Sequence, residues 1–194
     1  MDTTKKIEYP NNTPLKLARE FALKVHASQT YSTTHPYYKH LEDVYEVLIR
    51  FGFHIETHQA LLVASFLHDT VEDTPTSYSD IKRIFGEEVA EIVYCVTDEM
   101  GRNRKEKKAK TYPKIRSNPA SVVLKVADRI ANAEFSTQEK SSQLEMYRKE
   151  YPEFEYHLRI HNHIEPMWDH LHKILFPESK RYYLGIVENT QEII

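Results

Sequence analysis

Scarcity of glycine is the feature that most limits what this chain can fold into: 4 residues in 194, where a typical domain has ~7%. Glycine lets a backbone take the positive φ of tight hairpins and phosphate-cradling turns. With so few, a hairpin-rich sheet, a dinucleotide-binding βαβ unit and a phosphate loop are all poor expectations. Neither GxGxxG nor GxxxxGK[ST] occurs. Helix remains, and the apolar pattern agrees.

Apolar residues recur at helical spacing almost throughout. Leu17, Ala18, Phe21, Ala22 and Val25 form one stripe. Leu41, Val44, Leu48 and Phe51 form the next, with Gly52 as a candidate C-cap. The run Ala60 to Leu67 is apolar nearly all round, which predicts a central helix stopping near Asp73, before Pro75. Ser79 is expected to cap a short helix through Ile81, Ile84 and Phe85 that Gly86 closes, and Glu87 to Val96 to form another. Beyond the basic residues 102–116, Asn118 and Pro119 open a helix running through Ala133. Ser141 to Lys149 predicts a helix broken near Pro152. Leu158, Ile164, Met167, Trp168, Leu171, Ile174 and Leu175 form the last long stripe. The tail from Pro177 reads two ways, with Tyr182 to Val187 either a short helix or an extended piece. No repeat, linker or convincing period-two segment interrupts this pattern. The expectation is one all-α domain over residues 1–194, a compact bundle of roughly eight to ten helices, with the C-terminal helix and tail packed on it.

Charge and hydropathy narrow the partners. Lys plus Arg is 26 and Asp plus Glu is 29, so the net charge is −3. That balance gives no global attraction to nucleic acid or an anionic membrane, and neither partner is expected. Hydrophobic residues make up 40% of the chain, enough for a sizeable core. The opening residues, MDTTKKIEYPNNTP, lack the apolar core of a signal peptide, and ALLVASFL is too short to span a bilayer. A soluble cytoplasmic protein is expected. Cys95, the single cysteine, excludes an intrachain disulfide or a CxxC site, and in its apolar run it reads as a small buried side chain.

The chemistry concentrates in His68-Asp69-Thr70-Val71-Glu72-Asp73, at the end of the most apolar helix. Four ionisable groups at the edge of a buried helix are costly unless they bind something. Neighbours on a helix differ by about 100°, so His68 and Asp69 can approach one ion from adjacent directions. Glu72 and Asp73 follow one turn later on the same side. A metal needs further ligands. His40 stands before an amphipathic helix, and Asp128 interrupts the apolar run VVLKVADRIANA with Asn132 one turn on. His40, His68, Asp69 and Asp128 would make a mixed nitrogen and oxygen site suited to Mn²⁺, Fe²⁺ or Zn²⁺. From spacing alone, the other reading is that His68 and Asp69 cap a helix while Asp128 pairs with Lys125 or Arg129.

The order His40, His68-Asp69, Asp128 resembles the HD superfamily of metal-dependent phosphohydrolases. The fuller set is narrower: His-Asp-Thr-Val-Glu-Asp-Thr at 68–74, Pro36-Tyr37 before His40, Phe85-Gly86, Val96-Thr97-Asp98, and Val126-Ala127-Asp128 with Asn132. Together, over about Phe21 to Pro152, they resemble the RelA/SpoT hydrolase domain and most of all its stand-alone small alarmone hydrolases. The resemblance implies an all-helical fold and one Mn²⁺ on His40, His68, Asp69 and Asp128. It implies removal of pyrophosphate from the 3′ position of guanosine tetra- or pentaphosphate, with Glu72 and Asp73 as catalytic carboxylates. Glu72 is expected to be the more direct acid/base and Asp73 to orient it or the water. Tyr37, Arg104, Asn132 and Tyr147 match positions near the nucleotide. A synthetase domain is not expected, since no chain remains to build one.

One stretch departs from the family. Guanosine-alarmone hydrolases often carry Arg-Lys-Asp before the first metal histidine, whereas here Gln29-Thr30-Tyr31-Ser32-Thr33-Thr34 is shorter and holds no cation. The departure keeps open other nucleotides: an adenosine alarmone, a nucleoside 5′-phosphate or the 2′-phosphate of NADPH. A non-catalytic nucleotide-binding module is a third reading, against which the intact Glu72 and Asp73 argue. The basic run Arg102 to Arg116 reads chiefly as a solvated helix face, with a phosphate-rich ligand at its start as the alternative. His157 and His161 stand at i and i+4 without an HExxH glutamate, and with His163, His170 and His172 nearby they read as a chance cluster. Ser65, Ser141 and Ser142 lack a GxSxG context.

Overall fold

The structure, a computed structural model, describes residues 13–33, 35–159 and 164–179. Among them are ten helical segments: α1 (Thr13–Val25), α2 (Tyr38–Arg50), α3 (Ile55–Leu67), α4 (Thr70–Asp73), α5 (Tyr78–Phe85), α6 (Glu87–Val96), α7 (Arg104–Arg116), α8 (Pro119–Gln138), α9 (Gln143–Leu158) and α10 (Glu165–Leu175). Extended pairing among the described residues is limited to one isolated antiparallel bridge, Thr30 to Pro36. The all-helical expectation holds. None of the described helices is long and apolar enough to cross a membrane. His161, His163 and the segment Tyr182 to Val187 lie outside the described residues.

Two helices organise the core. α3 has seven consecutive buried residues, Leu61 to Leu67, as its all-round apolar sequence requires. α8 starts where expected, with the Asn118 side chain accepting from the Ser121 N–H (3.2 Å) and Pro119 in its first turn. It packs against α2, α3, α6, α7, α9 and α10. Phe66, Phe154 and Trp168 are the largest fully buried side chains. Gly52 takes φ 88° just after α2, where it donates its N–H to the Ile49 carbonyl, as a left-handed C-terminal glycine does. Cys95 is buried, and burial pushes its thiol up.

Several local expectations need correction. The cap of α5 is Ser77, not Ser79: Ser77 accepts from the Asp80 N–H, and Asp80 bonds back to the Ser77 N–H in a reciprocal capping box. In α1 the inward stripe is Leu15, Ala18 and Ala22, which leaves Leu17 42% exposed. α9 runs through Pro152 instead of breaking there, and Leu158 ends it instead of opening the last helix. Tyr147, Tyr151, Phe154 and Leu158 share its buried face. That packing offsets the ~3 kcal/mol an interior proline costs a helix. The apolar run ends as a helix at Leu67, and residues 70–73 form a separate turn.

Candidate active site

The break between α3 and α4 falls on the His-Asp pair. His68 keeps helical angles, and Asp69 (φ −98°, ψ −3°) turns the chain into α4. Thr70 Oγ1 donates to the Leu67 carbonyl (2.6 Å), which satisfies a carbonyl the helix end would orphan. His68 Nδ1 lies 2.8 Å from the Ser65 carbonyl oxygen. A carbonyl only accepts, so Nδ1 carries the proton and Nε2 faces away towards the cluster.

His40 meets this pair from the first turn of α2, inside the helix rather than before it. Its ligand atom and those of His68 and Asp69 all lie within 4.8 Å of one another. His68 Nε2 is 3.0 Å and His40 Nε2 3.7 Å from Asp69 Oδ2. Asp128, from the middle of α8, brings Oδ1 to 3.3 Å from His40 Nε2 and 3.9 Å from His68 Nε2. An ion about 2.2 Å from each donor sets neighbouring donors about 3.1 Å apart at right angles. The observed edges fall in that range with slight opening, so the two imidazoles and two carboxylates fit a divalent cation of intermediate softness.

The electrostatics of the cluster carry the same message. Burial would lower His68, but the Asp69 carboxylate beside it and Asp128 beyond outweigh burial and raise it to about 9. Burial would raise Asp69, yet His68 and His40 hold it below the usual carboxylate range. Asp128 is held well below that range despite burial, chiefly by Lys125, whose Nζ lies 3.1 Å from Asp128 Oδ2. The alternative pairing considered from sequence therefore exists for Lys125, and it coexists with the cluster. Arg129 turns elsewhere.

Glu72 and Asp73 stand beside the cluster on α4. Glu72 Oε2 accepts from the Asp98 N–H (3.0 Å), and burial pushes its carboxyl up. Asp73 is also raised, first by burial and then by the Asp69 charge. Tyr37 Oη donates to Asp69 Oδ2 (2.6 Å) and lies 3.1 Å from Asp73 Oδ2, while its ring stacks on His26 (4.8 Å, 19°). Asn132 donates through Nδ2 to Asp128 Oδ1 (2.5 Å) and accepts from the Tyr31 hydroxyl (2.6 Å).

All these groups border one open cleft of ≈ 870 Å³, and so do Arg104 and Tyr147. His68 stands behind its wall, against Asp69. The structure thus gathers every candidate site residue named from the sequence. It adds Lys108, Arg129 and Glu150, which join Arg104 in a cationic wall that sequence reasoning did not assemble. Glu150 on α9 is shared by Arg104 (Nε to Oε1, 2.6 Å), Arg129 (Nη1 to Oε2, 3.2 Å) and Lys108. Three cations on one carboxylate leave an excess of two positive charges facing the cleft. Burial pulls Lys108 down to about 8, with Arg129 and Arg104 adding to the effect, and the three cations together bring Glu150 to about 2 against its burial. The Arg129 guanidinium also lies over Tyr147 (4.7 Å) and Phe154 (4.6 Å). Arg129 interrupting an apolar run was the signal available in the sequence.

Comparison with known proteins follows the same lines. The family model described as HD domain matches residues 18–153. A guanosine-3′,5′-bis(diphosphate) 3′-pyrophosphohydrolase of Aquifex aeolicus is 29% identical over 193 residues, 95% of this chain and 27% of the relative. One from Drosophila melanogaster is 34% identical over 77 residues, 39% of this chain and 43% of the relative. The chain thus spans well under two thirds of either relative's length. A solved structure of a metazoan orthologue of SpoT that hydrolyses ppGpp superposes with a TM-score of 0.71 at 24% identity, covering 86% of this chain and 97% of that one.

Proposed function

The chain belongs to the HD domain family, and from that premise we propose that it is a cytoplasmic, Mn²⁺-dependent hydrolase of guanosine tetra- and pentaphosphate. It would release pyrophosphate from the 3′ position. The observation that carries this reading is the two-ended cleft: a His/His/Asp/Asp cluster with two raised carboxylates at one end, and an excess of cations on Glu150 at the other. A nucleotide with phosphate groups at both 3′ and 5′ positions matches such a cleft in charge. The Aquifex and Drosophila relatives, guanosine-3′,5′-bis(diphosphate) 3′-pyrophosphohydrolases, agree with it.

His40, His68, Asp69 and Asp128 would hold the ion, which when bound lowers the pKa of water and screens phosphate charge. Glu72, fixed by the Asp98 N–H, takes the proton of the attacking water and returns it to the ribose 3′-oxygen as the P–O bond breaks. Its raised pKa suits both halves of that exchange. Asp73, tied to Asp69 through Tyr37, orients the water. Arg104, Lys108 and Arg129 take the remaining phosphates, with Tyr147 under Arg129 bordering the nucleotide. Asn132 serves the ligand shell, where its amide is engaged on both sides.

One observation favours a second reading. The loop before His40 presents Tyr31 to the cleft and no cation, so the base could differ from guanine. The test is a product assay. Incubation with guanosine tetraphosphate and Mn²⁺ should yield GDP and pyrophosphate on ion-exchange chromatography, and Glu72→Ala should abolish both. Single phosphate released from a nucleoside 5′-phosphate or from NADPH, with guanosine tetraphosphate left intact, would replace the alarmone reading with the second one.

A further inference from the structure

Asn132 was expected at the nucleotide, yet its amide is engaged at both ends within the site, with both Nδ2 hydrogens donated. Nδ2 bonds the Asp128 side chain (2.5 Å) and the Asp128 backbone carbonyl (3.0 Å), and Oδ1 accepts from the Tyr31 hydroxyl (2.6 Å). An amide held at both ends has one orientation. Here that orientation turns the NH₂ to a metal-site carboxylate.

Tyr31 is itself fixed from three sides. Its backbone N–H donates to the His35 carbonyl (2.8 Å), beside the Thr30–Pro36 bridge that closes the loop. Its ring lies against Phe135 (4.5 Å) and stacks on the His40 imidazole (4.8 Å, 15°). One side chain of a short loop therefore touches two members of the cluster: His40 through its face, and Asp128 through Asn132. Ring packing alone would be served by phenylalanine, so the hydroxyl is the informative atom. Its partner lies 101 residues away on α8, and it ties the loop between α1 and α2 to the helix that carries Asp128.

We propose that Tyr31 is a positioning residue of the metal centre, which orients the Asp128 carboxylate through the relay Tyr31 Oη–Asn132–Asp128 while its ring sets the plane of His40. The inference rests on the metal site described above and is independent of which nucleotide is hydrolysed. Hydrogen bonds behind ligands fix their direction, and loss of such a partner weakens metal binding by roughly 10–100-fold.

The test uses the full chain, stripped of metal, and Mn²⁺ alone, titrated by calorimetry. Tyr31→Phe keeps both ring contacts and removes the hydroxyl, and it should weaken Mn²⁺ binding about tenfold. Asn132→Ala should weaken it at least as much. Because the hydroxyl acts through Asn132, the double variant should bind no more weakly than Asn132→Ala alone. Packing damage would lower the melting temperature without producing that non-additivity. Binding by Tyr31→Phe equal to the parent, or effects that multiply in the double variant, would overturn the relay. Failure of the unsubstituted protein to bind the ion would overturn the relay and the metal site together.

Discussion

Binding of a divalent ion to this cluster should release a proton, and the origin of that proton is the His68 imidazole. In the metal-free protein the Asp69 carboxylate, 3.0 Å from His68 Nε2, raises His68 to about 9. At neutral pH the nitrogen that would face the ion therefore carries a hydrogen. A metal takes the neutral imidazole, so each pH unit below about 9 weakens apparent affinity about tenfold. Between pH 8.5 and 6.5 that is about a hundredfold, or ~3 kcal/mol. Calorimetric titration of the stripped chain with Mn²⁺ in two buffers of different ionisation enthalpy reads the release directly, at about one proton per ion at pH 7.5. Stability should depend on pH in the metal-free state and not in the ion-saturated one. The raised imidazole stabilises the metal-free fold fully below about pH 6.5, and that contribution fades as pH rises towards 9. With saturating ion the melting temperature should instead stay level over the same window, because the tightening of binding offsets the loss in the metal-free fold. An affinity flat between pH 6.5 and 8.5, with no dependence on the buffer, would show that His68 does not exchange a proton for the ion.

Two further expectations separate the parts of the cleft. Asp69→Ala should lose bound Mn²⁺ in metal analysis together with turnover, whereas Glu72→Gln should retain the ion and lose turnover by roughly 10²–10⁴-fold. A metal-free but fully active Asp69→Ala protein would refute the site. Lys108→Met should raise KM for guanosine tetraphosphate while leaving kcat nearly unchanged, since Lys108 belongs to the wall opposite the chemistry. In the parent protein KM should rise as pH passes about 8, where Lys108 gives up its charge, and that rise should vanish in the variant. A parent KM flat through pH 8 would exclude Lys108 from substrate binding.

How far the sequence foretold this fold depended on how local each determinant is. The stripe of α2 is set by residues three and four apart, and it fell where spacing put it. The start of α5 was misplaced because two serines compete there. Only Ser77 has an acid three residues on, Asp80, to complete the reciprocal bonds, whereas Ser79 has Lys82 at that distance. α9 crosses Pro152 because its buried aromatic face packs against other helices of the bundle, α7, α8 and α10, and no local rule contains those contacts. The ligand cluster was legible for a different reason. Two adjacent ionisable residues at the end of an apolar helix, and one aspartate inside an apolar run, each break a local pattern conspicuously.

The remaining parts of the site, Arg129 apart, break no local pattern, and that is why they were hard to see. Lys108 stands in a run with seven other cations between Arg102 and Arg116, and nothing in that run marks it as the one turned towards Glu150. Only the packing of α7, α8 and α9 around the cleft selects it. The loop from Gln29 to Thr33 carries the same lesson with the opposite sign. Read as sequence, it registers as missing cations. In the fold, Gln29 bonds the Asp73 carbonyl (2.7 Å), and Tyr31 reaches Asn132. The first contact holds α4, beside the cluster, and the second reaches Asp128 through Asn132. A loop that binds an anionic substrate needs charge at its tip, whereas a loop that braces a metal site needs hydrogen-bond donors at fixed angles. Gln29 and Tyr31 supply donors, which on the proposed reading puts the loop's work at the ion and leaves substrate charge to the wall on Glu150.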